Sequence, residues 1–550
     1  MDAEAEQTTP GVDHVAGERR RIRAATIVFA AATALSRVAG LVREIATSAA
    51  FGASTTYSAF IVANQIPNLL RSLVADSALS AAFVPVFTEL DERGERARAW
   101  RVAGAVCGVI IAVLGPLTVL AMIAAPWIVR PFVDDTFSAA DVRLTVDLAR
   151  VLMPIVLVLA LSGVVVGILN TYGRFGAAAL APVAWNGVIL VSLAIATLFF
   201  PEDDQIWIYA IGMVVGTVVQ AVLPAPWMRG LGGRISLRSS WRDPKVREVF
   251  VLMLPVTISL GLINVQQFIS ALLAAKVDAN VGSLLSGLDA GAGPAILDKA
   301  FRIYMLPQGI FSVAVTTVVF PTLARMVARD DRRGFADTVD LGLRQILMLL
   351  VPSSVFVGVF CVPITRVLNE RGAFDSHQTT AVAYALAAFA LGLTFNGLTL
   401  LLIRSLFALR LTWLPTWVSI VTLGVNLLVA LLSYHAWGVL GIALATSIAN
   451  VVGVVLLYAL LAGRTEPLGT ARTLGVAAGT VFAAAVGVGA AAAGYFLAWE
   501  PALGVGALAT LVGIAAALGV AAPIYLWVGV RVRAVRPGLL RSLRRRGATD

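Results

Sequence analysis

The stretch ALSRVAGLVREIATSAAFGAS, residues 34–54, places cations inside an apolar segment. Arg37 and Arg43 stand among residues that suit the interior of a membrane, and Glu44 is the only carboxylate in the stretch. A cation near the centre of a bilayer costs about 2.5–3.5 kcal/mol on insertion scales, so such residues usually face a protein interior or a water-filled cavity. The stretch therefore predicts a membrane helix that lines a cationic site.

The whole chain has the composition of a membrane protein. Of its 550 residues, 59% are hydrophobic and only 13% are charged, and the mean hydropathy is +0.87. A soluble protein carries about 25% charged residues. The two cysteines, Cys107 and Cys361, lie inside apolar segments and do not have the spacing of a metal site or of a disulfide framework.

Long apolar segments recur along the chain. A membrane-spanning helix needs about 20 mostly apolar residues. Fourteen segments meet this requirement: 24–49, 56–89, 102–129, 144–169, 178–200, 206–227, 248–276, 300–327, 340–368, 379–405, 411–434, 437–463, 471–497 and 503–530. We expect Pro67 and Pro85 to bend the second segment, which is too long for one straight span. The sequence therefore predicts an all-α polytopic membrane protein with 14 transmembrane helices.

The distribution of basic residues predicts the orientation of these helices. Most of the 42 Lys and Arg residues fall in alternate loops and in both terminal tails. The intervening loops 133–141, 201–205, 277–289 and 435–438 contain neither Lys nor Arg, although loop 369–378 carries Arg371. Because basic loops stay on the cytoplasmic side, both termini are predicted to be cytoplasmic.

Two pairs of similar segments suggest an internal repeat. AFVPVFTELDERGERARA, residues 82–99, resembles VVFPTLARMVARDDRRGFA, residues 318–336, and a weaker pair ends at Asn186 and Asn426. A shift of six helices preserves topology, so the repeat predicts two parallel six-helix lobes around a central cavity, plus two extra C-terminal helices. The predicted parts are a basic tail (1–23), an N-lobe (24–228), a linker (229–247) that could instead be an ordinary loop, a C-lobe (248–463), helices 13 and 14 (464–530) and a basic tail (531–550).

Four arginines are the candidate site residues: Arg37, Arg43, Arg71 and Arg302. Set against the nearby carboxylates Glu44 and Asp76, they leave the predicted cavity with a net charge of +2. A guanidinium stays charged in any environment and grips phosphate oxygens with two parallel hydrogen bonds. The set therefore predicts a transporter for a polyanionic, diphosphate-bearing substrate.

Several of these residues could instead have purely structural roles. Arg43 and Glu44 could be a structural ion pair at a helix end, and Arg71 could extend along the helix to reach the interface. Asn64 and Asn68 flank Pro67, where their amides could satisfy the backbone groups that a proline frees, or could support the cavity.

The motifs around these residues resemble a known family. The stretch quoted above, AFIVANQIPNLLRSLVADSALSAAFVPVFTEL (59–90), SGVVVGILNTYGRFGAAALAPVAWN (162–186) and AFRIYMLPQGIFSVAVTTVVFPTLAR (300–325) are similar to the bacterial MurJ/MviN lipid II flippases of the multidrug/oligosaccharidyl-lipid/polysaccharide exporter superfamily. The resemblance runs from about residue 24 to 530, in order and with the same number of helices.

The resemblance implies an alternating-access flippase without a cofactor. The substrate would be lipid II, undecaprenyl-diphosphate carrying the disaccharide-pentapeptide of peptidoglycan, moved from the inner to the outer leaflet of the cytoplasmic membrane. The family's cavity residues carry over onto Arg37, Arg43, Arg71 and Arg302, with Glu44 beside the second arginine. Its two extra helices, matching 464–530, would form a groove for the polyprenyl tail.

The chain departs from the family pattern at several positions. Ser58 stands where relatives often have Asp, Asp76 replaces a Glu, and Phe301 replaces an Asp before Arg302. Some relatives build a sodium site from helices 7, 11 and 12. Helices 11 and 12 of this chain contain Asn426 but no Asp or Glu, so no metal site is expected.

Other function classes fit the sequence less well. The motifs of catalytic and nucleic-acid-binding proteins are not found, so neither an enzyme nor a nucleic-acid partner is expected. An exporter of another polyprenyl-diphosphate-linked oligosaccharide, or a drug or cation exporter of the same superfamily, is the alternative. A drug or cation exporter should have an acidic or aromatic cavity. Membrane lipids are expected partners, and contacts with cell-wall synthesis or division proteins are left open.

Overall fold

A computed structural model describes residues 11–74, 77–133, 137–237, 241–277, 288, 291–411 and 413–535. These residues form helices and no β-strand. The α-helices are α1 (Gly11–Phe51), α2 (Thr55–Val74), α3 (Ser77–Glu92), α4 (Arg96–Val129), α5 (Ala139–Leu152), α6 (Pro154–Thr171), α7 (Phe175–Phe199), α8 (Glu202–Val222), α9 (Pro244–Ala275), α10 (Gly293–Ala328), α11 (Arg332–Val359), α12 (Cys361–Asn369), α13 (Ser376–Ala408), α14 (Trp413–Ala462), α15 (Thr470–Gly494), α16 (Glu500–Leu503) and α17 (Ala507–Arg531). The predicted all-α fold is confirmed.

The helices follow the predicted apolar segments. Within the described ranges, ten helical stretches are long and apolar enough to cross a bilayer. One of them, α14, spans two predicted helices, 411–434 and 437–463. Its helical geometry is interrupted at Gly438, where φ is 56° and ψ is −134°, a conformation that favours glycine. The total of 14 transmembrane helices stays a prediction.

Three predicted segments form two consecutive helices each. Segment 56–89 corresponds to α2 and α3, and Pro67 and Pro85 lie inside them. Segment 144–169 corresponds to α5 and α6, where Pro154 begins the second helix, a position at which the missing N–H costs little. Segment 340–368 corresponds to α11 and α12, which are separated by Phe360.

The chain divides into two compact units. The first contains Met1–Thr47, Ile66–Ile128 and Val146–Gly261, and the second contains Ser48–Gln65, Val129–Thr145 and Leu262–Asp550. The predicted division into lobes at linker 229–247 stays a prediction.

Aromatic packing between α3, α4 and the end of α6 forms the core of the first unit. Phe87 is fully buried, and its ring meets Trp100 and Tyr172 edge-on, with centroids 6.0 and 6.1 Å apart. Edge-to-face aromatic pairs contribute about 0.5–1.5 kcal/mol beyond their buried area. This cluster holds the ends of these helices together.

Ion pairs bridge distant parts of the chain beside this cluster. The Arg98 guanidinium contacts both carboxylate oxygens of Asp243, at 3.1 and 3.2 Å, and Lys245 Nζ lies 2.8 Å from Glu89 Oε2. The hydrogen bonds from Arg98 lower the pKa of the Asp243 carboxyl below its ordinary value, because they favour the ionised form.

Helices α15 and α17 are attached to α11 of the second unit by buried polar contacts. Asp340, 2% exposed, accepts a hydrogen bond from the backbone N–H of Gly469 at 2.5 Å and lies 3.2 Å from Arg344. The Tyr525 hydroxyl donates to the carbonyl oxygen of Met348 at 2.7 Å. The two C-terminal helices are therefore part of the second unit.

The last turn of α1 is fastened to the loop between α12 and α13, also within the second unit. The backbone N–H of Ala373 donates to the carbonyl oxygen of Ala49 at 2.9 Å, and Ser48 donates to Asn369 at 2.9 Å. Gly372 has φ of 58°, and a Cβ at this position would overlap the Ala49 carbonyl oxygen. We call this contact the clasp.

Candidate functional site

Arg43 of α1 is buried in the first unit by an acid and an aromatic ring. Its Nη2 lies 2.5 Å from Glu44 Oε1, and its guanidinium carbon lies 4.7 Å from the centroid of the Trp185 ring in α7. Only 10% of the Arg43 side chain is exposed. A guanidinium that stacks on indole while pairing with a carboxylate keeps its charge in a low-dielectric place.

Helices α1 and α7 are in contact at this point. A Cβ on Gly40 would lie 3.9 Å from Asn186 Oδ1, in ordinary contact. Asn186 Nδ2 donates to the carbonyl oxygen of Pro182 at 3.0 Å and, more weakly, to that of Ser36 at 3.5 Å. This packing places Trp185 over Arg43.

The other two arginines of the first unit are more accessible. Arg37, two turns before Arg43 on α1, is exposed, and Arg71 near the end of α2 is half-buried. Asn68, also in this unit, is half-buried one turn before Arg71. Asp76 lies outside the described residues.

Arg302 belongs to the second unit. On α10 its Nε lies 2.7 Å from Oδ2 of Asp298, one helical turn earlier, and 36% of its side chain is exposed. Asp298 was missed by the sequence argument, although the i, i+4 spacing of opposite charges is a signal that could have found it. The family resemblance implies an acid directly before this arginine. Here Phe301 takes that position and the acid lies three residues earlier.

The predicted site residues are thus divided between the units. Three arginines, Arg37, Arg43 and Arg71, lie in the first unit, and Arg302 lies in the second. That all four line one cavity stays a prediction. Asp298, which pairs with Arg302, is a carboxylate outside the predicted set, and the net charge of +2 for that set stays a prediction.

The second unit contains a polar cavity of about 230 Å³. Residues of α2, α9, α10, α13 and α14 line it. Its amide side chains are Gln65, Gln266, Gln267, Asn396 and Asn450, and its hydroxyl side chains are Ser270, Thr399, Ser419, Thr422 and Thr446. Asp298 is the one charged residue in this lining, and Phe301 and Phe389 supply aromatic surface. Asn64, the neighbour of Gln65, is half-buried in the same unit but is not in this lining.

A buried tyrosine holds two of the amides in this lining. The Tyr304 hydroxyl, whose residue is 0% exposed, accepts hydrogen bonds from Asn396 Nδ2 at 2.8 Å and from Asn450 Nδ2 at 3.4 Å. Gln308 Nε2 donates to Asn396 Oδ1 at 2.8 Å. Asn396 is therefore fixed at both ends of its amide group.

A larger, apolar groove of about 740 Å³ lies elsewhere in the second unit. Residues of α11, α13, α14 and α15 line it. Small and aliphatic side chains dominate the lining, among them Val351, Ala387, Leu391, Leu444 and Ala477. The groove suits a hydrocarbon chain.

A buried lysine near the polar cavity was not singled out from the sequence. Lys299 of α10 is 2% exposed, and its Nζ lies 4.5 Å from the centroid of the Tyr57 ring. Next to Tyr57, the Ser58 hydroxyl accepts from the backbone N–H of Ala295 at 3.2 Å. Ser58, where the family resemblance implies an acid, therefore joins α2 to α10.

The polar groups of α14 make contacts with one another and with α13. Asn426 Nδ2 donates to Thr446 Oγ1 at 3.2 Å, and Ser447 Oγ donates to the Ala388 carbonyl oxygen at 2.6 Å. In the part of the chain that the structure describes, no group of three or more His, Cys, Asp or Glu side chains is placed to hold a metal ion.

Comparison with known proteins places the chain among membrane transporters. A family model described as lipid II flippase MurJ matches residues 47–513. A relative in Rhizobium meliloti, named probable lipid II flippase MurJ, is 31% identical over 528 residues, which cover 94% of this chain and 95% of the relative. A relative of the same name in Haemophilus influenzae is 30% identical over 481 residues, covering 84% and 90% of the two chains.

Solved structures share the fold. The structure of lipid II flippase MurJ in an inward closed conformation matches with a TM-score of 0.73 and 22% identity, over 92% of this chain and 99% of that one. An inward-facing multidrug resistance MATE family transporter of the MOP superfamily matches with a TM-score of 0.64 and 16% identity, over 80% and 98%. The protein is a multi-pass membrane protein with the fold of these transporters, and the family model and the relatives together show that it belongs to the lipid II flippase MurJ family.

Proposed function

We propose that this protein moves lipid II from the inner to the outer leaflet of the bacterial cytoplasmic membrane and catalyses no reaction. The observation that carries the proposal is the match to lipid II flippases over almost the whole chain, at about 30% identity. Lipid II joins a polyprenyl tail to a saccharide-peptide headgroup through a diphosphate, so a flippase must hold an anionic headgroup and an apolar tail at once.

The arginines supply the contacts to the diphosphate. In this proposal Arg37, Arg43, Arg71 and Arg302 bind its oxygens. Arg43 and Arg302 are held by Glu44 and Asp298, so each has a fixed orientation. A diphosphate competes well for these guanidiniums, because charge-assisted, two-point contacts are the stronger kind of hydrogen bond. Asn64, Asn68 and Asp76 are proposed to support this site.

The apolar groove supplies the place for the tail. We assign the polyprenyl chain to the groove that α15 closes with Ala477 and Val481, and whose other walls are α11, α13 and α14. Burial of apolar area contributes about 25 cal/mol per Å², so a long isoprenoid gains much from such a groove. Of the two C-terminal helices predicted to form the tail groove, α15 lines this groove, and the other walls come from α11, α13 and α14.

Both termini are proposed to be cytoplasmic. A cysteine introduced at Ser138, between α4 and α5, should then react with a membrane-impermeant label in intact cells, whereas one at Arg332 should react only after permeabilisation. The reverse pattern would contradict this orientation. The basic tail 531–550 lies near anionic lipid in this arrangement, and a role for it in binding cell-wall synthesis proteins stays a prediction.

We propose the membrane potential as the driving force. Moving two negative charges outward across an inside-negative membrane yields up to about 4.6 kcal/mol per 100 mV. Neutral amides and hydroxyls, such as those of Asn426 and Thr446, bind sodium weakly without a carboxylate. Proteoliposomes in which potential and sodium gradient are varied separately should respond to the potential. Transport driven by sodium alone would refute this part.

Complementation tests the proposed function directly. Expression of the chain in a bacterium depleted of its own lipid II flippase should restore growth and the appearance of lipid II on the outer leaflet, measured by its accessibility to an external enzyme. Arg332→Ala, at the exposed first residue of α11, should restore both and serves as the matched surface control. Growth without outer-leaflet lipid II, or expression without either, would contradict the proposal.

A further inference from the structure

The polar cavity of the second unit has no part in the diphosphate and tail contacts described above. We propose that it is the subsite for the saccharide that is bonded to the diphosphate of the transported lipid. This inference rests on the proposed function and adds the group that the cavity recognises.

The charge of the lining selects an uncharged ligand. Ten amide and hydroxyl side chains surround a single carboxylate, Asp298, which is already paired with Arg302. A phosphate inside this lining would meet a carboxylate, and an isoprenoid would leave the amides without partners, which is costly in a buried place. A sugar ring offers hydroxyls that both donate and accept, as amide groups do.

The size of the cavity limits how much of the headgroup it can enclose. Its volume of about 230 Å³ is below the roughly 300–1,000 Å³ of sites that enclose a drug-sized ligand. It therefore holds one sugar ring rather than a disaccharide with its peptide. Phe301 and Phe389, with ring centroids 5.7 Å apart, provide apolar surface for the carbon-bound hydrogens of such a ring.

The position of the cavity agrees with the order of groups in the substrate. Asp298 both lines the cavity and lies 2.7 Å from Arg302, which is proposed to bind the diphosphate. The first sugar of the headgroup is bonded directly to the diphosphate. A substrate gripped by Arg302 therefore places its first sugar at the cavity.

An unsatisfied hydroxyl in the lining also points to a ligand. Thr399 Oγ1 is buried and has no hydrogen-bond partner among the described residues. Buried polar groups are nearly always paired, so an orphaned one asks for an explanation. Asn396, one turn earlier on α13, is held rigidly by Tyr304 and Gln308. Together they place a fixed amide and an unpaired hydroxyl in the wall of the same cavity.

The test compares two lipids on the purified full-length protein in nanodiscs. Lipid II and undecaprenyl diphosphate share the tail and the diphosphate and differ in the saccharide-peptide. The unmodified protein should bind lipid II about tenfold more tightly, equivalent to about 1.4 kcal/mol. Thr399→Val and Gln266→Leu should each weaken lipid II binding by roughly three- to tenfold while the Kd for undecaprenyl diphosphate changes less than about twofold. Gln345→Leu in α11, outside the cavity, is the matched control and should change neither.

A thermal measurement separates recognition from folding. Because the Thr399 hydroxyl has no hydrogen-bond partner among the described residues, Thr399→Val should not lower the melting temperature. Equal weakening for both lipids, equal affinity of the unmodified protein for both, or no effect of either variant would overturn the subsite. If the unmodified protein bound neither lipid, the proposed function would fail and the subsite with it.

Discussion

The polar cavity and the apolar groove of the second unit are built on the same helix. Phe389, Asn396 and Ile403 of α13, spaced by seven residues, line the cavity. Ala388 and Phe395, one position before two of these, line the groove. A helix turns about 100° per residue, so neighbouring positions point to different faces. One helix therefore separates a hydrogen-bonding space from a hydrocarbon-like one.

The difference between the two spaces matches the two ends of an amphipathic substrate. The cavity carries ten uncharged polar side chains in about 230 Å³, whereas the groove has about 740 Å³ lined mainly by aliphatic residues. In a soluble protein such a groove would be covered. In a bilayer, lipid chains can fill it, so the fold can keep it open for a tail.

The largest effect is expected from the four arginines that are proposed to bind the diphosphate. Arg302→Ala, and likewise Arg37→Ala, Arg43→Ala and Arg71→Ala, should lower lipid II flipping by about 10- to 100-fold at normal expression, because each removes charged hydrogen bonds worth about 1.5–3 kcal/mol. Lysine should rescue only partly, since an ammonium lacks the two-point grip. The assay is flipping in proteoliposomes. Full activity of all four alanine variants would contradict the arginine site.

A smaller effect is expected from filling the groove. Ala477→Phe should lower flipping of the natural long-chain lipid about tenfold, because the ring displaces about two methylene groups of the tail at about 0.8 kcal/mol each. A short-chain analogue should be flipped at the normal rate. Ala478→Phe, at the next and exposed position of α15, is the control. Equal effects of Ala477→Phe and Ala478→Phe on flipping would contradict the assignment of the lipid tail to the groove.

The next effect is a loss of stability, expected when the hydroxyl of Tyr304 is removed. Tyr304→Phe leaves the amide donors of Asn396 and Asn450 without their acceptor, at a cost of about 1–3 kcal/mol in the free energy of unfolding. Tyr384→Phe, the same change on the groove side, removes a hydroxyl from a side chain that is 41% exposed and should cost little. Thermal unfolding in detergent measures both. A Tyr304→Phe variant with unchanged stability would show that the hydrogen bonds from Asn396 and Asn450 to Tyr304 do not stabilise the fold around the cavity.

The smallest effect is expected from an ion pair in the first unit. Asp243→Asn removes the partly exposed pair with Arg98 and should cost less than about 1 kcal/mol. Since this pair lowers the pKa of Asp243, its contribution is present above the ordinary pKa and is lost only as pH falls through the lowered one. The free energy of unfolding of Asp243→Asn should therefore differ from that of the unmodified protein by the same small amount at pH 7 and at pH 5. If the difference in the free energy of unfolding vanished at pH 5, the ion pair with Arg98 would not be its cause.

The helices could be predicted from the sequence because hydropathy alone determines where a chain can cross a bilayer. The break of α14 at Gly438 lies where the polar loop 435–438 was expected. The divisions at 152–154 and 359–361 were not predicted, since apolar residues continue across both and hydropathy does not register a local break in a helix.

The candidate site was predictable only in part. Arg43 beside Glu44 could be found because the residues are adjacent, and Asp298 beside Arg302 was within reach of helical spacing. The polar cavity could not be found, because its amides and hydroxyls come from five helices and each is unremarkable on its own helix. Only tertiary packing brings Gln65 and Asn450 to one space.

The clasp between α1 and the loop before α13 has a consequence for inherited variation. Its main contact joins two backbone groups, those of Ala49 and Ala373, so most side chains nearby can change without breaking it. Gly372 is different, because any side chain there would overlap the Ala49 carbonyl oxygen and would be strained at φ of 58°. In a library of random single substitutions selected for growth, position 372 should therefore remain glycine. Position 371, whose arginine is exposed, should accept many different residues.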